Sequence, residues 1–277
     1  MNIQQALQQA GQHLSESSPS ALLDAQVLLT YVLQCNHAHL LAWPEKTLTE
    51  DQASCFLQLI EQRRQGIPVA HLTGSREFWS LDFAVDNSTL IPRPESETLV
   101  EFILQKFAGR DRLKLLDMGT GTGAIAIAIA SEKPGWQLTA SDVSAQALTL
   151  AVDNSRRHNT GNITFIRSDW FGDIERHDFD IIVSNPPYIA TGDPHLLDGD
   201  VRFEPASALS SGETGMDDIE QLCAQADQYL QNDGWLILEH GYNQEQQVAE
   251  CFAKNGFEEI TQQQDLSGHT RMTAGKI

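Results

Sequence analysis

The chain has 277 residues, 41% of them hydrophobic, enough for one large or two smaller domains with a substantial core. It carries 18 Lys and Arg against 38 Asp and Glu, a formal charge of −20 that repels phosphate backbones and anionic membrane surfaces at long range. Four scattered cysteines without a CxxC pair, a polar N-terminus and no long apolar run predict a cytoplasmic protein without disulfides, structural zinc, secretion signal or membrane span.

Residues 1–75 show the periodicity of helices. Apolar side chains recur at helical spacing from Ile3 to Leu14 and again from Ala25 to Val32. A third helix begins at Thr49, which forms a capping-box pattern with Gln52. Acidic side chains outnumber basic ones in this region, so it has no basic stripe for nucleic acid. We therefore predict an N-terminal helical bundle domain that serves protein docking or packing.

The rest of the chain changes to alternating strands and helices. Residues 76–90 contain two short alternating runs, which predict a β-hairpin linker, and Pro94 can open the helix that follows. From 91 to 277, strand-like runs alternate with helix-like ones; the strand-like runs are LKLLDM, WQLTAS, ITFIRS, FDIIVS and GWLILEH. This alternation predicts an α/β domain of Rossmann-like type, with a mostly parallel sheet and ligands at the carboxyl ends of its strands.

A glycine-rich turn follows the first of these strands. Asp117 precedes the run Gly119, Thr120, Gly121, Thr122 and Gly123, which opens the next helix. The spacing G-T-G-T-G differs from the G-x-G-x-x-G that seats a pyrophosphate. It suits S-adenosylmethionine, which has no phosphate, with Asp117 either ordering the loop or meeting the amino group of the ligand. A turn of purely structural use is the alternative.

The next two strands also end in polar side chains. Asp142 is placed to accept hydrogen bonds from ribose hydroxyls, and its alternative role is to cap the helix that begins near Ser144. Asp169 and Trp170, in SDWF, are placed to meet an adenine ring by hydrogen bonding and stacking. The alternative for Trp170 is an ordinary core residue.

The run Phe179–Ser184 ends in Asn185, Pro186, Pro187 and Tyr188. Methyl transfer to a planar nitrogen requires acceptors that hold its NH₂ group in line with the methyl and stabilise the developing charge. The Asn185 side-chain oxygen and a proline carbonyl can accept the two hydrogens. The prolines supply no competing N–H and fix the backbone, while Tyr188 can stack on the planar group. A stiff loop that merely ends the strand is the alternative.

Several segments together resemble one known family. They are PVAHLTGSREFWSL, LIPRPESETLVE, LDMGTGTGAIAIAIA, SDWF, FDIIVSNPPYI, VRFEPASAL and, more loosely, DLSGHTRMTAGK. The chain thereby resembles the HemK/PrmC family, the protein-(glutamine-N5) methyltransferases of class I peptide chain release factors. The resemblance implies a class I S-adenosylmethionine-dependent methyltransferase fold over 91–277, a docking role for 1–75, and methylation of the glutamine in a Gly-Gly-Gln motif in support of translation termination.

The resemblance also implies roles for particular residues. The methyl donor is expected on Gly119 to Gly123, Asp142, Trp170 and Asn185. The target glutamine is expected on Asn185, Pro186 and Tyr188, with Pro187 beside them. Phe78, Arg93 and Pro94 match positions that line the pocket in the family. Ser96 stands where a threonine is commoner and keeps the hydroxyl.

Two other functions share some of these features. A nucleic-acid amino-methyltransferase, acting on adenine N6 or guanine N2, uses the same four-residue motif but must flip a base with the help of phosphate contacts. The charge of −20 disfavours it, and few residues follow Tyr188 to build a recognition domain. A non-catalytic S-adenosylmethionine-binding module needs no amide acceptors such as Asn185.

The histidines, the acidic stretch 193–204 and the expected partners give three further expectations. The nine histidines show no metal-ligand spacing, so we expect no metal site, and His240 is interpreted as structural rather than as a base. The acidic stretch 193–204 is either a solvated loop or a site for a basic partner. We expect a monomer that binds release factors and neither nucleic acid nor membranes directly.

Overall fold

The computed structural model describes all residues from 1 to 277. They form two compact units, Met1–Ser75 with Asp198–Phe203, and Arg76–Leu197 with Glu204–Ile277. The α-helices are α1 (Ile3–Leu14), α2 (Ala21–Leu33), α3 (His37–Ala42), α4 (Glu50–Arg64), α5 (Val69–Thr73), α6 (Glu97–Lys106), α7 (Ala124–Glu132), α8 (Ala145–Arg157), α9 (Asp217–Gln225) and α10 (Glu245–Lys254). No helix is both long enough and apolar enough to cross a membrane.

The strands lie from the end of the first unit onward. They are β1 (Ser75–Phe78), β2 (Leu81–Ala84), β3 (Lys114–Met118), β4 (Gln137–Asp142), β5 (Ile163–Arg167), β6 (Phe179–Ser184), β7 (Leu230–Glu239), β8 (Glu258–Gln264) and β9 (Thr270–Lys276). β1 and β2 pair as a two-stranded hairpin, and the other seven form one sheet in the order β5-β4-β3-β6-β7-β9-β8.

The first unit is the helical bundle that the sequence predicts. Its core is built from the apolar stripes of α1, α2 and α4, including Ile3, Leu28 and Phe56. The capping box at Thr49 is confirmed, since its hydroxyl accepts the Gln52 N–H at 3.2 Å and the Gln52 side chain accepts the Thr49 N–H. The short helices α3 and α5 were not predicted, because a run of five or six residues shows too little periodicity.

A buried ion cluster joins the segment Asp198–Phe203 to the helices of this unit. The Arg63 guanidinium, almost completely buried, donates to Asp24 at 2.6 Å and to Asp200 at 2.6 Å. The hydroxyls of Ser18 and Ser20 also donate to Asp24. Breaking such a buried pair leaves an uncompensated charge. The basic partner of Asp200, in the acidic stretch 193–204, is therefore a residue of this same chain.

The large sheet confirms the mostly parallel α/β prediction. β3 pairs in parallel with β4 on one side and with β6 on the other. The order in which successive strands are added to the sheet therefore reverses between β3 and β6. Both faces are covered: Leu115 belongs to one hydrophobic cluster and Leu116 to the other. The antiparallel pair β8 and β9 was not predicted, because EEITQQQ is polar and β8 is an edge strand.

One buried amide ties the hairpin to the sheet domain. Asn154, in α8, donates to the carbonyls of Ala84 and Thr122 at 3.0 Å and accepts the N–H of Ala84 at 2.8 Å. Its side chain is fully buried. Asn154 thereby fixes β2 and the glycine-rich turn to one helix.

Replacement of Asn154 by alanine tests this connection. Asn154→Ala removes three buried hydrogen bonds, and we expect it to lower the free energy of unfolding by about 2–4 kcal/mol. The matched control is Asp153→Ala, one residue away and exposed, which we expect to change stability by less than about 0.5–1 kcal/mol. Urea unfolding followed by circular dichroism measures both. An equal loss of unfolding free energy in the two variants would show that the hydrogen bonds of Asn154 do not stabilise the fold.

Candidate active site

A cavity of about 290 Å³ lies at the carboxyl ends of the parallel strands. Its walls include these residues predicted from the sequence: Phe78, Arg93, Gly119, Thr120, Gly121, Thr122, Asp142, Asp169, Trp170, Asn185 and Pro187. Five other predicted residues are not part of its lining: Pro94, Asp117, Gly123, Pro186 and Tyr188. The structure therefore brings the glycine-rich turn, the ends of β4 and β5, and the residues after β6 around one space.

The glycine-rich turn is held in a conformation that requires glycine. Gly119, Gly121 and Gly123 all have positive φ, at 68°, 56° and 83°. A Cβ atom on Gly123 would lie 2.8 Å from the Ile127 side chain and 3.2 Å from Ala151 Cβ. The turn thus lies close against α7 and α8 and presents backbone, without side-chain bulk, to the cavity.

Asp117, at the end of β3, orders this turn through two hydrogen bonds. Its Oδ2 atom accepts hydrogen bonds from the Thr120 hydroxyl at 2.6 Å and from the Ala126 N–H at 3.2 Å. Its Oδ1 atom has no hydrogen-bond partner within the chain. Burial raises the pKa of Asp117 to about 7, and the two hydrogen bonds oppose that rise. The side chain therefore has the loop-ordering contacts that the sequence predicts and retains one free acceptor atom.

Asp142 lies on the other side of the turn. Its two oxygens accept the N–H groups of Gly121 and Ser144, both at 2.9 Å. Burial raises its pKa, and these backbone hydrogen bonds oppose that rise. The N-cap of α8 is Ser144, whose hydroxyl accepts the Ala147 N–H. The alternative of Asp142 as the helix cap is therefore wrong.

Trp170 belongs partly to the cavity wall and partly to the core. Its backbone has a φ of 45°, unusual for a bulky side chain, and its indole N–H donates to Asp218 at 3.0 Å. The ring lies against Gly119, about 3.7 Å from the position of a Cβ there. Asp218, which also lines the cavity, was not predicted from the sequence.

Two buried groups hold the side chains that follow β6. The Asn185 Nδ2 atom donates to Ser96 Oγ at 2.9 Å, and Ser96 Oγ donates to Glu239 Oε2 at 2.5 Å. The Tyr188 hydroxyl donates to Glu239 Oε1 at 3.2 Å. Burial raises the pKa of Glu239 to about 7, and burial together with the Glu239 charge raises the pKa of Tyr188.

Sequence reasoning missed Glu239 and considered only its neighbour. His240 is fully buried between the Gly241 carbonyl and the Thr273 hydroxyl, which agrees with its structural interpretation. An acidic residue that ends the apolar run WLIL was the available signal for Glu239.

Two further residues of the site, Glu204 and Thr89, were not predicted from the sequence. Glu204 accepts two hydrogen bonds from the Arg93 guanidinium, at 2.8 and 2.7 Å, so Arg93 is paired within the chain. Thr89 lines the cavity and is 2% exposed, and its hydroxyl has no hydrogen-bond partner within the chain. Buried hydroxyls normally have partners, so this one has hydrogen-bonding capacity for a ligand. The structure contains no group of three or more His, Cys, Asp or Glu side chains that could hold a metal ion.

Close packing fixes the backbone of Tyr188. Its carbonyl accepts a hydrogen bond from Gln244 Nε2 at 3.0 Å. Gly215 lies against the same carbonyl with a φ of 76°, and a Cβ atom there would come within 2.2 Å of the Tyr188 oxygen. Only glycine fits at this position without moving the residues after β6.

Comparisons with family models and solved structures define the class. Residues 5–74 match the PrmC N-terminal domain, and residues 95–197 match the methyltransferase small domain. The hMettl16 catalytic domain, in complex with MAT2A 3′UTR hairpin 6, is 15% identical with a TM-score of 0.56, over 82% of each chain. A methyltransferase from Pyrococcus furiosus is 19% identical with a TM-score of 0.54, over 79% of this chain and 96% of that one. The fold is that of a class I methyltransferase.

Full-length relatives define the family. The protein named release factor glutamine methyltransferase from Shewanella oneidensis is 46% identical to this chain, over 99% of this chain and 96% of the relative. The protein of the same name from Pseudomonas aeruginosa is 47% identical, over 94% of each chain. The protein of that name from Vibrio cholerae is 45% identical over 100% of this chain and 97% of its own length. The chain belongs to the release factor glutamine methyltransferase family.

Replacement of Gly215 tests the packing against Tyr188. We expect Gly215→Ala to slow methyl transfer at least about 10-fold, since the new methyl group must displace the Tyr188 carbonyl and with it the residues after β6. The matched control is Gly268→Ala, because Gly268 has a similar φ of 81° and nothing within 4 Å of an added Cβ. Equal loss of activity in the two variants would contradict the packing argument.

Proposed function

We propose that the protein transfers the methyl group of S-adenosylmethionine to the side-chain N5 nitrogen of the glutamine in the Gly-Gly-Gln motif of class I release factors. The observation that carries this proposal is the fixed amide of Asn185, whose Nδ2 atom is engaged by Ser96 while the residue lines the cavity. Its Oδ1 atom is then the free end of the amide. An acceptor there suits a substrate that presents an NH₂ group.

The cavity has the chemistry that S-adenosylmethionine requires. The carboxylates of Asp142, Asp169 and Asp218 line it and suit a ligand with a positive sulfonium and an ammonium group. The glycine-rich turn lets the ligand approach its backbone, and we assign ribose binding to Asp142 and adenine contact to Trp170. When bound, S-adenosylmethionine supplies an electrophilic methyl carbon on a sulfur that leaves as a neutral thioether.

The residues after β6 act on the glutamine amide. In the proposed mechanism, Asn185 Oδ1 and the Pro186 carbonyl accept the two N–H groups and hold the nitrogen lone pair toward the methyl group. As the nitrogen–carbon bond forms and the carbon–sulfur bond breaks, positive charge develops on the nitrogen, and these two acceptors stabilise it. The methylated nitrogen then loses its extra proton to water, for which no strong base is needed.

The helical unit offers a surface for the substrate protein. On α2, Leu23, Val27 and Tyr31 are exposed and follow one another at intervals of four residues along one face of the helix. Such a stripe supports our proposal that residues 1–75 dock the release factor. We further propose that the protein acts as a monomer in the cytoplasm, where release factors work; all four cysteines are free, as expected in a reducing compartment.

The proposed function predicts where a labelled methyl group goes. After incubation with S-adenosylmethionine, mass spectrometry of a purified release factor should locate one added methyl group on the glutamine of its Gly-Gly-Gln motif. Asn185→Ala should lower the rate about 10²-fold or more, because an acceptor for the developing charge is lost. The matched control is Asn232→Ala, which replaces an exposed asparagine at the start of β7 and should leave the rate unchanged.

A parallel reaction with DNA and RNA separates the proposal from the nucleic-acid alternative. Transfer of label to a base, without methylation of the release factor, would overturn the proposed function. Full activity of Asn185→Ala would remove the amide-acceptor mechanism while leaving the substrate assignment in place.

The free hydroxyl of Thr89 predicts a contribution to cofactor affinity. Thr89→Val keeps the shape of the side chain and removes the hydroxyl, so we expect the dissociation constant for S-adenosylmethionine to rise about 3- to 10-fold, for a hydrogen bond worth about 0.5–1.5 kcal/mol. Thr149→Val, at an exposed position on α8, is the control. Isothermal titration calorimetry measures both. An unchanged affinity in Thr89→Val would show that its hydroxyl does not contact the cofactor.

A further inference from the structure

Glu239 is a buried acid that contacts two side chains of the proposed amide site. It ends the strand β7 after the apolar residues Leu236, Ile237 and Leu238 and is 1% exposed. One carboxylate oxygen accepts from the Ser96 hydroxyl and the other accepts from the Tyr188 hydroxyl. Burial of a carboxylate is costly, and an apolar residue would continue the pattern of the strand. The acid therefore requires an explanation beyond packing.

The direction of each hydrogen bond follows from the chemistry of the groups. An ionised carboxylate can only accept, so the hydroxyl protons of Ser96 and Tyr188 must both point to Glu239. Ser96 Oγ then has only lone pairs left for Asn185, 2.9 Å away. The Asn185 side chain must turn a donor toward those lone pairs, and the only donor of that side chain is the Nδ2 group. The orientation of the Asn185 amide is therefore determined by the charge on Glu239.

We propose that Glu239, through the hydroxyl of Ser96, is the positioning residue that keeps Asn185 Oδ1 free for the substrate amide and, through its other oxygen, fixes Tyr188. This inference rests on the proposed role of Asn185 as an acceptor for the glutamine NH₂ group. Glu239 itself contacts neither the substrate nor the methyl donor in this account. Its effect reaches the reaction through Ser96, Asn185 and Tyr188.

Protonation of Glu239 reverses this arrangement. When the proton lies on Oε2, the carboxyl group donates to Ser96 Oγ, Oε1 still accepts from Tyr188, and the Ser96 proton turns toward Asn185 and selects Oδ1. The amide rotates and presents its NH₂ group to a substrate that also presents NH₂. Two donors facing each other cannot form the hydrogen bonds that the transfer requires.

The surroundings of Glu239 set its pKa within the pH range in which the enzyme can be assayed, so its protonation can be followed. Burial raises its pKa to about 7; the hydrogen bonds from Ser96 and Tyr188 and the charge of Arg271, from β9, oppose the rise, and Glu95 adds to it. Burial lowers the pKa of the adjacent His240. Because the ionised form of Glu239 is the competent one, turnover should rise as the pH increases through about 7 and fall below it.

Kinetics of isosteric variants tests the role of Glu239. Glu239→Gln keeps the shape, but its NH₂ group cannot accept a hydrogen bond, so we expect a kcat about 10- to 100-fold lower with KM for S-adenosylmethionine within about 2-fold of the parent. The acid limb of the parent pH profile should disappear in this variant. Ser96→Ala should also lower kcat, and Ser96→Thr should restore it by keeping the hydroxyl. Ser155→Ala, at another buried serine, which donates to the Thr160 carbonyl outside the cavity lining, is the control and should match the parent.

A second measurement does not depend on any substrate. In protein labelled with ¹⁵N at asparagine, the side-chain amide signal of Asn185 is identified by its absence in Asn185→Asp. We expect this signal to titrate with a midpoint near pH 7 in the parent protein and to show no titration in Glu239→Gln. Failure of the parent to methylate a release factor would overturn the proposed function and leave this titration as the test of Glu239.

Two results would overturn the inference. The first is an Asn185 signal that titrates identically in the parent and in Glu239→Gln. The second is a Glu239→Gln enzyme with unchanged kcat and an unchanged acid limb.

Discussion

The parallel pairing of β3 with β6 is the constraint on which the site depends. Met118 lies opposite Ser184 in this pairing, and the Ser184 hydroxyl donates to the Met118 carbonyl at 2.7 Å. Both strands therefore end at the same level, the glycine-rich turn after one and Asn185 after the other. Sheet order reverses at this point, where open α/β sheets form their ligand crevice. The places proposed for the methyl donor and for the target nitrogen are thus adjacent through backbone hydrogen bonds.

Three buried acids hold the backbone and side chains that surround the crevice. Asp117 and Asp142 hold the glycine-rich turn from its two sides, and Glu239 holds the side chains after β6. Burial raises the pKa of all three, so each lies in an environment that disfavours its charge. Such environments are typical of functional sites rather than of structural cores. A cationic methyl donor in the cavity would favour the ionised forms of the acids beside it, which links cofactor binding to the same acids that order the turn.

The parts of the site that could be predicted from the sequence are those with a local pattern. The glycine spacing, the acid that ends β4, and the residues Asn185 to Tyr188 each follow a strand within a few positions, so a linear sequence shows them. Ser96, Glu204 and Glu239 contact their partners across 89, 111 and 143 residues, and no local pattern shows which residue meets which. The same limit explains the missed β8 and β9, whose pairing compensates for a polar, weakly strand-like sequence. The domain boundaries also depend on a contact that no local pattern shows. Asp198–Phe203 belongs to the helical unit, to which the ion pair of Asp200 with Arg63 joins it.

The proposed mechanism requires that Asn185 and Pro186 receive the NH₂ group of a glutamine side chain. The most direct measurement is a crystal structure of the protein with S-adenosylhomocysteine and a peptide that contains Gly-Gly-Gln. We expect the glutamine nitrogen about 3 Å from both Asn185 Oδ1 and the Pro186 carbonyl, with its lone pair toward the sulfur. A glutamine whose carbonyl oxygen faces Asn185 Nδ2, or one bound away from these two acceptors, would contradict it.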